Sequence, residues 1–222
     1  FLRGISTGPI LIWISRKKSL SNQNGFQIGQ RENDRMEVQW NGPYAWPKFE
    51  IEADLPAVPA HPGVYLWTFE CGDDYIIYAA GITRRSVSIR LREHTRKYLT
   101  GEYTILDMSA MSRGVREELW HGWSWTSEKR ENYESRKCEL VAAARCQLAA
   151  FRVFVADVGT APRLLERIEA AIMNALYEQQ SPCCDIPDRG MMLAPRWGSE
   201  ESIMVRMKSE VKFLGLPSEI EI

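Results

Sequence analysis

This sequence lacks the cysteine and histidine spacing of a zinc cluster, the long apolar run of a membrane span and the basic excess of a bulk polyanion binder. It holds three histidines, and its five cysteines, Cys71, Cys138, Cys146, Cys183 and Cys184, form no C-x-x-C pair. That arrangement gives no zinc site, and an odd, unpatterned set of thiols fits a reducing compartment, so a cytoplasmic location is expected. The short apolar run from Pro9 to Ile14 is far below the ~20 residues of a bilayer span, and no small-residue cleavage site follows it cleanly. A membrane partner is therefore not expected. The net charge of −1 argues against a wrapper of nucleic acid, although local patches decide polyanion affinity and the total does not.

What is present is ample for a core: 222 residues, 45% hydrophobic and 26% charged, which suits one domain with additions or at most two small ones. Residues 1–35 break in composition from the rest, and the first methionine is Met36; a non-native or disordered leader is expected there. An arm over 36–61 is rich in aromatics and proline, with Trp40, Tyr44, Trp46 and Phe49. It predicts a short strand at Phe49 to Ala53 and a clasp over the sheet.

Two segments rich in β-branched and aromatic residues follow, Gly63 to Phe69 and Asp74 to Ala80, joined at Gly72 to Asp74. They predict a hairpin. From about Ser86 to Tyr98 a basic helix is expected, with Arg90 and His94 four residues apart and so on one face. Between Arg84 and Lys97 six Lys/Arg stand against one Glu, a patch suited to phosphate.

A stretch over about 100–150 reads as an insertion. Ile105 to Met108 is a short strand or irregular, Ser112 to Trp120 has helical composition, and His121 to Trp125 is a loop with aromatic anchors. Asn132 to Ala150 predicts one helix with a stripe of Val141, Ala144 and Leu148. Phe151 to Asp157 predicts a third strand. Pro162 then opens a helix whose Leu165, Ile168, Ile172, Met173 and Leu176 form a buried stripe. Over 186–222 a helical extension is expected, with a helix from Glu200 to Leu214.

The order of these parts is informative. Gly63-Val64-Tyr65 on one strand, Tyr78-Ala79-Ala80-Gly81 ending the next, Arg90 and His94 on a helix, then Glu169 with Ile172 and Met173 behind it together resemble the GIY-YIG nuclease family. The resemblance covers roughly 62–185, interrupted by the insertion. It implies an α/β (α+β) fold with a small three-stranded mixed, largely antiparallel sheet flanked by helices. It also implies a metal-dependent DNA endonuclease of restriction, homing or repair type.

The same resemblance assigns roles. Glu169 binds Mg²⁺ (or Mn²⁺), with Glu166 a poorer match. Arg90 holds the phosphate, Tyr65 acts as base with Tyr78 orienting, and His94 contacts phosphate or relays a proton. Arg84, Arg85 and Lys97 are the expected nucleic-acid contacts. Two departures stand out. Tyr-Ala-Ala-Gly is one residue longer than the family's second motif, which leaves open whether Tyr78 faces the site. No Asn follows Pro182, where Asp185 or nothing takes its place. The alternative is a nucleic-acid-binding module of the same fold that does not cut.

Overall fold

The computed structural model describes residues 35–122 and 126–222; the leader expected over 1–35 lies outside them except for Arg35, as do Trp123 and Trp125 of the aromatic loop. In chain order the elements are β1 (Arg35–Gln39), β2 (Asn41–Ala45), α1 (Glu50–Ala53), β3 (Gly63–Cys71), β4 (Asp74–Thr83), α2 (Val87–Leu99), β5 (Ile105–Leu106), α3 (Met108–Met111), β6 (Glu118–Trp120), α4 (Ser127–Ser135), α5 (Lys137–Ala150), β7 (Arg152–Ala156), α6 (Pro162–Tyr177), β8 (Met204–Lys208), β9 (Phe213–Leu214) and β10 (Glu219–Glu221). The fold is mixed α/β. Among the described residues no helix is long and apolar enough to cross a membrane.

The largest sheet has five strands in the order β2-β7-β3-β4-β9, where three were expected. The three expected strands are its centre, with β3 antiparallel to both β4 and β7. The aromatic arm adds β2 antiparallel to β7, and the tail adds β9 parallel to β4. A second sheet, β1-β8-β10, ties residues from the arm to the tail. The helix expected at Glu200 to Leu214 is thus replaced by strands. Residues Val205 and Ile220 pair across that sheet and bury their side chains, a long-range gain that outweighs local helix propensity.

Three smaller expectations are also corrected. Phe49 to Ala53 is not a strand: Glu50–Ala53 is a helical turn, entered at the buried Phe49. Helical composition at Ser112 to Trp120 gives way to β6, which pairs with β5. The single helix over Asn132 to Ala150 is two, α4 and α5, divided at Arg136, and its buried stripe contains Leu140 in place of Val141.

The five-stranded sheet separates two cores. On one face α2 and α5 cover Tyr65, Trp67, Phe69, Tyr78 and Phe151, with Trp46 from the arm inserted among them. The arm is a clasp, as expected. On the other face α6 covers Val64, Leu66, Ile77 and Phe154. The stripe on α6 is buried as predicted, from Leu165 through Leu176. On α2 the buried stripe is Val87, Leu91, His94 and Tyr98, while Ile89 is exposed.

The extra residue in Tyr-Ala-Ala-Gly is a β-bulge. Thr68 pairs with Ile77 and Trp67 with Ala79, so Tyr78 has no partner across β3. Strand alternation is interrupted there: Tyr78 and Ala79 both join the α2-side core, whereas Ile77 and Ala80 join the α6 side. The bulge resets the phase, which places Gly81 opposite Tyr65.

Candidate functional site

The site forms where the ends of β3 and β4 meet α2 and α6. Gly63 opens β3 with φ +141, and an added Cβ there would collide with the Ala156 carbonyl oxygen. Two residues on, Tyr65 lies over Gly81. An added Cβ at Gly81 would fall 2.5 Å from the Tyr65 ring and 2.6 Å from its hydroxyl, so glycine is required there by space. The Tyr65 ring is also stacked at 6.1 Å on Trp67, which leaves it 1% exposed.

From α2, His94 reaches the same spot because it belongs to the helix's buried stripe. Its Nε2 is 3.1 Å from the Tyr65 hydroxyl, and its Nδ1 is 2.8 Å from the hydroxyl of Tyr103, just past the helix end. Arg90, one turn earlier, stands at the edge of that stripe. Its guanidinium donates to Glu93 at 3.1 Å, which also accepts from Arg85. From α6, Glu169 is placed by Met173, one turn on, whose sulfur accepts the Ala80 N–H at 3.1 Å. These groups line one cleft of about 430 Å³, together with Trp67, Lys97 and Asp188.

Burial sets the protonation states. It pushes Glu169 up from 4.5 to about 7; the Arg90 charge opposes this and Glu166 adds to it. Burial, then Arg90 and Lys97, push His94 down to about 3. His94 is therefore a neutral imidazole around neutral pH. One ring nitrogen donates and the other accepts, so one tyrosine gives it a proton and the other takes one. Burial raises the Tyr65 hydroxyl well above the ordinary tyrosine range, and Arg90 only partly offsets this. Tyr65 is a poor base unless it can pass its own proton on at the same time.

The structure thus brings together Tyr65, Arg90, His94, Lys97 and Glu169. Arg84 and Arg85 line an adjoining hollow of about 600 Å³ that shares Arg90 and Ile82 with the cleft. Tyr78 is not in the cleft lining. Its bulge buries the ring on the neighbouring side, with the Arg116 guanidinium 5.6 Å from the ring centroid, and its carbonyl accepts the Asp188 N–H at 2.7 Å. Glu166 is paired with Arg163 at 3.2 Å. Asp185 lines a different hollow.

Two residues of the cleft escaped the sequence reading, Tyr103 and Asp188. Tyr103 stands nine residues after His94, beyond the helix, where no periodicity points to it. Asp188 is fixed by its backbone to Tyr78 and by the Tyr177 hydroxyl, which donates to its carbonyl.

The donor set fits a hydrated cation. Glu169 accepts no hydrogen bond and forms no close ion pair among the described residues, and the charge of Arg90 offsets the cost of its half-buried carboxylate only in part. Among those residues no group of three His, Cys, Asp or Glu could hold a metal. Magnesium, which keeps most of its water shell, accepts a single protein carboxylate. Compared with known proteins, the chain matches no family model, no curated protein and no solved structure.

Proposed function

We propose that the cleft hydrolyses phosphodiester bonds of DNA with a divalent cation held by Glu169, and that the chain is related to the GIY-YIG nucleases. The observation that carries this is the convergence of a half-buried carboxylate with no hydrogen-bond partner among the described residues, an arginine fork and a tyrosine–histidine–tyrosine chain in one cleft of about 430 Å³. When bound, Mg²⁺ or Mn²⁺ supplies Lewis-acid stabilisation of charge on the phosphoryl and leaving oxygens.

The remaining roles belong to the side chains. Arg90 directs its fork to the non-bridging oxygens, a bidentate geometry that lysine does not offer. Tyr65 takes a proton from the attacking water while its own proton passes to His94 Nε2. His94 passes its Nδ1 proton to the hydroxyl oxygen of half-buried Tyr103 as that hydroxyl releases its own proton to solvent. The imidazole never has to carry charge, in keeping with its depressed pKa of about 3. Arg84, Arg85 and Lys97 extend the positive surface along which backbone phosphates lie.

A plasmid-nicking assay with Mg²⁺, repeated in EDTA, tests the proposal. Nicks that require the metal are expected. Salt-sensitive binding without nicks would instead identify a binding module that does not cut.

A further inference from the structure

On the side of the cleft away from Arg84 and Arg85, a second hollow of about 510 Å³ opens beyond Asp188 and Gly190, which line both. We propose that this hollow receives an unstacked nucleobase of the strand whose phosphate occupies the cleft; the assignment rests on the nucleic-acid reading above.

Charge distinguishes the two flanks. The Arg84–Arg85 hollow has no carboxylate in its lining and suits phosphate. This one sets Arg116 and Arg189 against Glu118, Asp185 and Asp188, which sums to −1 with His121 neutral. A phosphodiester gains nothing there. Nor is it a cation cage, since no three metal-ligating groups are clustered among the described residues.

The donors of Arg116 are already engaged by Glu118 and by the carbonyls of Ile186 and Pro187. The free capacity lies elsewhere. Arg189 is exposed and stacks on the Tyr177 ring at 5.1 Å, with a single hydrogen bond to the Cys184 carbonyl. Its outer face is a flat cationic platform. Asp188 uses Oδ1 to accept from Gly190 and His121 uses Nδ1 on Glu118, and among the described residues Asp188 Oδ2 and His121 Nε2 make no hydrogen bond.

A guanidinium plane beside a carboxylate oxygen fits an uncharged planar ring that carries N–H donors. Such rings stack on arginine and donate to carboxylates through their exocyclic amino groups. Adenine, cytosine and guanine have that group and thymine lacks it. A base within a duplex cannot enter the hollow, so the occupant is single-stranded or extruded.

Fluorescence anisotropy in EDTA tests this with the full chain and short labelled oligonucleotides of A, C or T alone and of alternating G and T. Wild type should bind the amino-bearing sequences about tenfold more tightly than the T oligonucleotide. In Asp188→Asn the preference should shrink to within about twofold, and Arg189→Ala provides the same reading if the first variant does not fold. Arg84→Ala/Arg85→Ala should weaken all four oligonucleotides alike and lower the salt slope. The base subsite is overturned if both Asp188→Asn and Arg189→Ala keep the preference or weaken every oligonucleotide by the same factor. Absence of wild-type binding to every oligonucleotide would overturn the nucleic-acid reading itself.

Discussion

Gly81→Ala is a one-carbon change with an outcome fixed by geometry. The new methyl would stand 2.5 Å from Cε2 and Cζ of Tyr65, about an ångström inside ordinary contact. The ring cannot recoil freely, because it is 1% exposed and stacked on Trp67. The backbone at Gly81 lies outside the left-handed region, so the penalty is one of packing alone. Overpacking of this kind costs about 1–3 kcal/mol, or roughly 2–12 °C in Tm for a chain of this size. The 3.1 Å contact between Tyr65 and His94 should be lost with it.

Thermal or urea unfolding of a double-mutant cycle with Tyr65→Ala measures the effect. Removing the ring clears the space, so Gly81→Ala should cost about 1 kcal/mol or more less in the Tyr65→Ala background. Equal costs in both backgrounds would refute the argument that Gly81 exists to admit Tyr65.

Three further outcomes follow from the site. Tyr103→Phe leaves His94 Nδ1 buried without a partner, and should cost about 1–3 kcal/mol in urea unfolding and lower kcat more than KM in nicking assays. Burial holds Glu169 at about 7 against 4.5, so between those values the native protein keeps a proton that the unfolded chain has released. The stability contribution is therefore complete below 4.5 and declines as pH rises to about 7, and Glu169→Gln should flatten that slope in pH-dependent unfolding. In the same window a cation must displace the proton, so calorimetric Mg²⁺ affinity should rise about tenfold per pH unit and level off once Glu169 is ionised.

Local signals carried the centre of the molecule. The hairpin, the third strand and the stripe on α6 each bury one face defined by short-range periodicity, and their residues stand where the pattern implied. The failures are non-local. Strands β8 and β10 exist because Val205 and Ile220 meet a partner strand across the tail and β1, which no local propensity encodes. Val141 lost its place to Leu140 because α4 and α5 divide at Arg136 and shift the phase of the buried face.

The site shows the same division. Tyr65, Arg90, His94 and Glu169 were singled out by the resemblance of their motif order to the GIY-YIG nucleases, and they line one cleft. Tyr78 was uncertain because one inserted residue becomes a bulge, and the side to which a bulge turns its side chain depends on the facing strand. Tyr103 and Asp188 lie in irregular segments, where position comes from contacts such as the Tyr78–Asp188 backbone hydrogen bond of 2.7 Å.

The most direct measurement is the Mg²⁺-dependent nicking rate of wild type beside Arg90→Ala and Glu169→Ala, all three verified as folded by circular dichroism. Each substitution should lower the rate by about 10²–10³ or more while the protein stays folded. Wild-type nicking by the Glu169→Ala protein in Mg²⁺ would contradict it.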